Sequence, residues 1–179
     1  IFYWGINTTF SELGLHNIFF SEDYKKEFKE IFEESILPVE PTIYVNITSK
    51  HDVNHAPKNN ENWFVMVNAP AHNEHNWEEQ KEKVKRFIIK QINKQLDTNL
   101  EEYIIVEDTL SPLNIQEKTA SYMGSLYGTS SNNKMAAFFR QQNTSKLYKN
   151  LFFCGGSVHP GGGIPLCFKS AKFVADAIK

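Results

Sequence analysis

The sequence lacks several features that would assign it to a special class of protein. It contains no apolar run close to the roughly 20 residues that cross a bilayer. Its 2 cysteines, Cys154 and Cys167, are too few for a disulfide framework and suit a reducing compartment. A formal net charge of −2 argues against nucleic acid as a partner, because nucleic acid favours a basic surface. What remains is a chain of 179 residues that can bury a hydrophobic core.

Glycine is also scarce, but it is very unevenly placed. Five of the 9 glycines lie between Gly155 and Gly163, after an apolar run at 151–153 and before an apolar-periodic run at 166–178. This pattern predicts a strand, a tight glycine loop and a helix. Backbone without Cβ atoms lets a ligand approach closely, and a helix N-terminus presents unpaired N–H groups to it. We therefore expect the function to lie in this loop; the alternative is a plain strand-to-helix turn.

Hydrophobic periodicity predicts the other helices and strands. The two runs at 43–47 and 63–68 are expected to pair as an antiparallel hairpin with a long loop. Residues 1–5 read as the middle of a strand, which suggests a piece cut from a longer protein. The predicted elements are a helix at about 22–36, strands at 43–47 and 63–68, a helix at about 77–97, a strand at 103–106 and a short helix that opens at Ser111-Pro112.

The glycine segment closely resembles a known flavin motif. Residues 150–165 together with 170–176 are similar to the C-terminal motif of the bacterial-type phytoene desaturases, a family of FAD-dependent carotenoid desaturases. The likeness covers nearly the whole chain, and its last thirty residues are the most specific part. The other segments that carry it are 15–21, 41–42, 62–70, 124–128, 138–140 and Asn143.

The resemblance implies an α/β fold. The chain would be a fragment of a two-domain FAD-dependent oxidoreductase, with residues 1–120 in a mixed or antiparallel substrate-domain sheet with helices. Residues 121–179 would add the C-terminal strand, loop and helix of the FAD-binding domain. The family's Gly-x-Gly-x-x-Gly fingerprint does not occur here, so the N-terminal dinucleotide-binding half is expected to be absent from this chain.

The resemblance also implies which residues bind the cofactor. FAD would be held by the glycine loop, mainly through backbone N–H groups, and the helix that starts near Gly163 would direct its positive end at the flavin. His159 is a weak candidate for proton transfer, and a role as a loop hydrogen-bonder or flavin neighbour is the preferred interpretation. The expected FAD-binding residues are Gly155, Gly156, Ser157, His159, Pro160, Gly161, Gly162, Gly163 and Ile164.

The implied activity is the introduction of double bonds into a long polyene by hydride transfer to flavin. The protein would be cytoplasmic and peripherally associated with the membrane, with a carotenoid or polyene substrate and no nucleic acid partner. This chain alone would be inactive, would not retain FAD and would self-associate. The alternatives are a related flavoprotein polyene isomerase or retinol saturase, or a binding module without catalysis.

Other candidate residues leave alternatives open. Arg140 would bind either a flavin phosphate or a structural carboxylate. The aromatic clusters, which include residues 2–4 and 138–139, would line a polyene tunnel or belong to the core. The histidine pairs at 51 and 55 and at 72 and 75 have spacings that zinc sites also use, but they lie in polar loops. We interpret them as surface histidines and assign no metal.

Overall fold

The fold is described from a computed structural model of the chain, over residues 1–71, 76–128 and 140–178. The chain divides into two compact units, Ile1–Asn114 and Ile115–Lys179. Among these described residues, no helix is both long enough and apolar enough to cross a membrane.

The first unit contains a five-stranded sheet in which every pairing is antiparallel. The strand order is β2-β3-β4-β1-β5, so the first strand of the chain lies between two strands that come much later. The strands are β1 (Phe2–Ile6), β2 (His16–Phe19), β3 (Ile43–Asn46), β4 (Glu61–Val67) and β5 (Ile104–Thr109).

The core forms on one face of this sheet because apolar residues alternate along the central strands. In β1 the alternate residues Phe2, Trp4 and Ile6 are buried, whereas Tyr3 between them is exposed. These side chains share one hydrophobic cluster with residues of helix α2 (Trp77–Leu96), including the fully buried Ile88. The helix begins at an N-cap, Asn76, whose side chain accepts a hydrogen bond from the third following residue.

Helix α1 (Tyr24–Phe32) buries a carboxylate and exposes aromatic rings, the reverse of the usual arrangement in an amphipathic helix. It buries Glu27, which is only 1% exposed, while the aromatic rings of Tyr24, Phe28 and Phe32 remain on the outside. The Glu27 carboxylate accepts hydrogen bonds from the backbone N–H and the hydroxyl of Thr42, at 3.1 and 2.7 Å. Because a buried carboxylate is tolerated only when it is well bonded, these contacts decide which face of the helix turns inward.

A second buried carboxylate, Glu61 at the start of β4, stabilises the loops at one end of the sheet. It accepts hydrogen bonds from the backbone N–H of Phe10 at 3.0 Å and the indole N–H of Trp63 at 2.8 Å. The ammonium of Lys50 lies 2.6 Å from the same carboxylate. The charge is therefore paired and hydrogen-bonded where it is removed from water.

Two further helices complete the described part of the chain. Helix α3 (Pro112–Thr119) begins with proline, and the hydroxyl of Ser111 accepts a hydrogen bond from the N–H of Asn114 at 3.2 Å. Helix α4 (Ile164–Ile178) ends the second unit. Much of its apolar surface is exposed, including Ile164 and Phe168, each 74% exposed.

The structure confirms most of the predicted elements, including the antiparallel pairing of β3 with β4. The α/β assignment with an antiparallel sheet in the first unit is also confirmed. The strand predicted at 151–153 is wrong, since only an isolated bridge between Thr144 and Phe152 forms there. Strand β2 was not predicted from periodicity.

Candidate functional site

The candidate site is the glycine loop, residues 154–163, which leads directly into α4. Three side chains from outside the loop, Arg140, Asn143 and Ser170, make hydrogen bonds to its backbone. Residues 154–163 belong to no helix or strand, and side-chain contacts fix the path of the loop.

Asn143 contacts the loop and the residues on both sides of it. Its amide nitrogen lies 3.0 Å from the carbonyl oxygen of Phe153 and 2.9 Å from that of His159. The same nitrogen lies 2.9 Å from the hydroxyl oxygen of Ser170 in α4. One amide group thus joins the residue before the loop, a residue inside it and the helix after it.

Ser170 is completely buried in α4, whose charged residues, Lys169, Lys172 and Asp176, are exposed. Its hydroxyl oxygen accepts a hydrogen bond from the N–H of Gly155 at 3.1 Å, in addition to the contact with Asn143. A buried hydroxyl without partners would be costly, so this serine is satisfied by the loop that it supports.

Arg140 supports the same loop from another direction. Its side chain is buried, and Nη2 donates hydrogen bonds to the carbonyl oxygens of Tyr127 and, at 3.1 Å, Gly156. The two partners predicted from sequence, a flavin phosphate and a structural carboxylate, stay predictions. The two bonds place the guanidinium between two stretches of backbone.

The loop carbonyls and the loop N–H groups are used differently. The carbonyls of Gly156 and His159 accept hydrogen bonds from buried or half-buried side chains. Several loop N–H groups, in contrast, donate to no acceptor among the described residues. They include those of Gly156, Ser157, Gly162 and Gly163. Such a set of N–H groups without an acceptor in the described part of the chain, next to a helix N-terminus, suits an electron-rich or anionic ligand.

Gly162 and Gly163 lack side chains for different reasons. At Gly162 a Cβ atom would lie 2.7 Å from Cε1 of the Tyr127 ring, so the position is filled by protein. At Gly163 a Cβ atom would meet nothing within 4 Å. The backbone φ there is +95°, however, a value that residues other than glycine rarely adopt. Among the described residues, the loop is therefore open at Gly163, and it is open in the same way at Gly155, where φ is +123°.

The remaining predicted site residues lie on or beside the loop. His159 is exposed, and its ring stacks on Phe173 of α4 with 5.7 Å between centroids. Its backbone N–H donates to the carbonyl oxygen of Gln141 at 2.8 Å. Ser157 and Ile164 are exposed, and Pro160 is half-buried. The structure thus places the predicted residues along one loop and the start of α4, where Gly161 is buried and Ser157, His159, Gly163 and Ile164 are exposed.

Sequence reasoning assigned no supporting role to Asn143 or Ser170. Asn143 lies in no periodic pattern that would predict its contacts. Its three partners are 10, 16 and 27 positions further along the chain. Ser170 does have a signal, because a small polar residue in an apolar helix often marks a hydrogen bond in the interior.

Among the residues that the structure describes, no group of three or more potential metal ligands includes His51 and His55. His51 and His55 follow β3, and Nε2 of His55 lies 3.5 Å from a carboxylate oxygen of Asp52. The pKa of Asp52 is lowered, mainly by a hydrogen bond from the backbone N–H of Asn54. The second pair, at 72 and 75, and the aromatic pair at 138–139 lie outside the described residues.

The residues of the loop fit the flavin group that the sequence implies. The loop has N–H donors without an acceptor among the described residues, open backbone at Gly155 and Gly163, and a helix of 15 residues that starts immediately after it. A helix N-terminus carries about half a positive charge, which attracts nearby electron density. These features could hold an electron-rich edge of a flavin without an ionisable side chain.

Comparisons with known proteins give a clear result. A 1-hydroxycarotenoid 3,4-desaturase from Flavobacterium sp. (strain P99-3) is 53% identical over 178 residues, which is 99% of this chain and 36% of the relative. A 4,4'-diaponeurosporene oxygenase from Staphylococcus haemolyticus is 35% identical over 175 residues, 97% of this chain and 35% of the relative. Proteins of the same name from Staphylococcus aureus are similarly related. No protein-family model matches the chain.

These matches confirm the relationship to carotenoid desaturases that the sequence predicted. The similarity extends over nearly all of this chain, whereas the chain spans about a third of the length of the curated relatives.

Proposed function

We propose that this chain, a relative of the carotenoid desaturases along its whole length, is the C-terminal part of an FAD-dependent oxidoreductase that introduces double bonds into a long polyene. The observation that carries the proposal is the glycine loop with N–H groups that have no acceptor among the described residues, in a chain that is 53% identical to a carotenoid desaturase. When bound, FAD supplies the hydride acceptor that desaturation needs, since no side chain can accept a hydride.

In this proposal the residues of the chain bind and orient the cofactor. The N–H groups of Gly162 and Gly163, at the start of α4, face the electron-rich part of the flavin. The N–H groups of Gly156 and Ser157 bind a second part of the same group. His159 lies beside this surface as a neighbour, with its ring held against Phe173.

We further propose that residues 1–120 belong to the substrate domain and residues 121–179 to the FAD-binding domain. The division of the chain into compact units after Asn114 supports a boundary in this region. The antiparallel sheet of the first unit would contribute to the substrate domain.

The proposed substrate is a carotenoid or a similar polyene, because the relatives carry names that refer to carotenoids. Such molecules dissolve in lipid, so we also propose that the protein works in the cytoplasm at the surface of a membrane. Oxygenation of the polyene is a second candidate activity, favoured by the names of the staphylococcal relatives.

The test is a reaction of the full-length protein with FAD and a linear carotene in lipid vesicles. We expect a product that has lost a pair of hydrogen atoms and absorbs at longer wavelength, as measured by mass spectrometry and absorbance. A product that has gained oxygen would support the second candidate. A wild-type protein that binds no FAD and leaves the carotene unchanged would overturn the proposal.

A further inference from the structure

We infer that Asn143 is the positioning residue of the cofactor site, and that Ser170 is its anchor on α4. The inference rests on the proposed function and concerns how the loop acquires its binding form. Neither side chain needs to touch the cofactor. Each acts through the backbone of the glycine loop.

Asn143 contacts two backbone carbonyl groups, one just before the loop and one inside it. The carbonyl oxygens of Phe153 and His159 lie 3.0 and 2.9 Å from its amide nitrogen. A peptide unit is planar, and its N–H and C=O groups point in opposite directions. The carbonyl of Phe153 shares its peptide unit with the N–H of Cys154, so that N–H points away from Asn143. The carbonyl of His159 precedes Pro160, which has no N–H, so this contact acts by fixing the path of the loop backbone.

Ser170 connects this arrangement to the helix. Its hydroxyl oxygen lies 2.9 Å from the Asn143 amide and accepts the N–H of Gly155 at 3.1 Å. The start of the loop is consequently joined to the same side chain of α4 that Asn143 contacts. Because Ser170 is fully buried, this link is protected from competing water.

Preorganisation is the physical consequence of these bonds. A loop with five glycines has many accessible conformations, and ordering it at the moment of binding would reduce affinity. Asn143 and Ser170 order the loop before the ligand arrives. Their loss should weaken FAD binding even in a protein that remains folded.

The test compares Asn143→Asp with the unaltered full-length protein. Aspartate has nearly the same shape, but its ionised carboxylate cannot donate to carbonyl oxygens and would repel them. At neutral pH we expect the FAD dissociation constant, measured by titration of the apoprotein with flavin fluorescence as the signal, to rise at least about tenfold. At mildly acidic pH the protonated carboxyl group can donate again, so affinity should recover in Asn143→Asp relative to the unaltered protein.

A purely structural role would give a different result. It would lower the thermal midpoint of the apoprotein and leave the FAD dissociation constant of the folded fraction unchanged. Ser170→Ala, which removes only one hydroxyl group, is the second variant and decides the question if Asn143→Asp does not fold. The matched control is Gln142→Ala, the adjacent exposed side chain, for which FAD binding should be unchanged.

Two results would contradict the inference in distinguishable ways. Unaltered protein that binds FAD, together with folded Asn143→Asp or Ser170→Ala of the same affinity at neutral pH, would overturn the positioning role alone. Unaltered protein that binds no FAD would overturn the proposed function, and the positioning role with it.

Discussion

At the scale of single residues, the two adjacent glycines before α4 have separate tasks. Gly162 makes room for the Tyr127 ring, whereas Gly163 provides a positive φ at the open side of the loop. A side chain at either position is therefore unfavourable, but the consequences differ. One disturbs packing within the protein, and the other affects the surface that we propose for the flavin.

The first prediction is that Gly163→Val in the full-length protein lowers bound FAD and desaturation together. β-Branched residues resist positive φ, and the added side chain would occupy the open side of the loop. Gly162→Val should displace Tyr127 and lower the thermal midpoint as well. Flavin content per protein, far-UV dichroism and thermal unfolding measure these effects.

Lys83→Ala is the control for both valine variants. Lys83 is exposed on α2, where it pairs with Glu79 at 2.6 Å, so its loss should cost neither flavin nor activity. Full flavin content and full activity in Gly163→Val would show that the glycine loop is a simple turn.

The residues of the candidate site could be predicted only in part. The glycines were identifiable because their number and spacing are unusual and resemble a known motif. The positions of Arg140 and Asn143 on the loop backbone could not be deduced, because these bonds join residues 10 to 16 positions apart through side chains. Sequence spacing carries no information on where such side chains point in irregular backbone.

At the scale of elements, prediction succeeded where hydrophobic periodicity was strong. Helix α2 has a long periodic pattern and β4 a long apolar run, while β3 lies in a segment that alternates regularly from Ile43 to Thr48; their positions agree with those predicted. Strand β2 has a pattern of only four residues, half of them polar, and its pairing with β3 depends on tertiary contacts. The apolar run at 151–153 forms one bridge, since a strand needs a partner as well as an apolar sequence.

The exposed face of α4 leads to the second prediction, that the 179-residue chain self-associates. Ile164, Phe168 and Ile178 are each at least 65% exposed, and exposed apolar surface favours association. Phe168→Asp should reduce the mean mass measured by light scattering at increasing concentration, because it places a charge in the middle of this face.

Val53→Asp is the matched control, since Val53 is 82% exposed but lies in a short turn away from any apolar helix face. It should leave association unchanged. A monodisperse monomer of the unaltered chain at high concentration would contradict the prediction.

At the scale of the whole molecule, the third prediction is that the 179-residue chain alone does not retain FAD. Its glycine loop can contact one part of the cofactor, but the chain has no Gly-x-Gly-x-x-Gly motif to bind the pyrophosphate. The purified chain should be colourless, and the full-length protein yellow. Visible absorbance after gel filtration is the measurement.

A yellow preparation of the short chain, with flavin equal in amount to protein, would show that the pyrophosphate site needs no further segment. Adding FAD to the purified chain tests the same point without relying on flavin supplied during expression. Only weak binding, reversed by dilution, is expected.

The division of the chain into two compact units bears on the domain boundary expected from sequence. The structural boundary follows Asn114, inside α3, whereas the resemblance led to a boundary near 120. The sequence has no proline- or glycine-rich linker at this point, so composition alone could not mark it. The assignment of each unit to a substrate or flavin domain stays a prediction.

The position of β1 in the sheet has a consequence for how the protein is made. Phe2 pairs with Val65 on one side and with Thr109 on the other. During synthesis this apolar strand leaves the ribosome long before either partner exists, and at roughly 5–20 residues per second the delay lasts several seconds. During this delay β1 is an exposed apolar segment without a partner strand. A chaperone can bind it, and aggregation through it competes with folding.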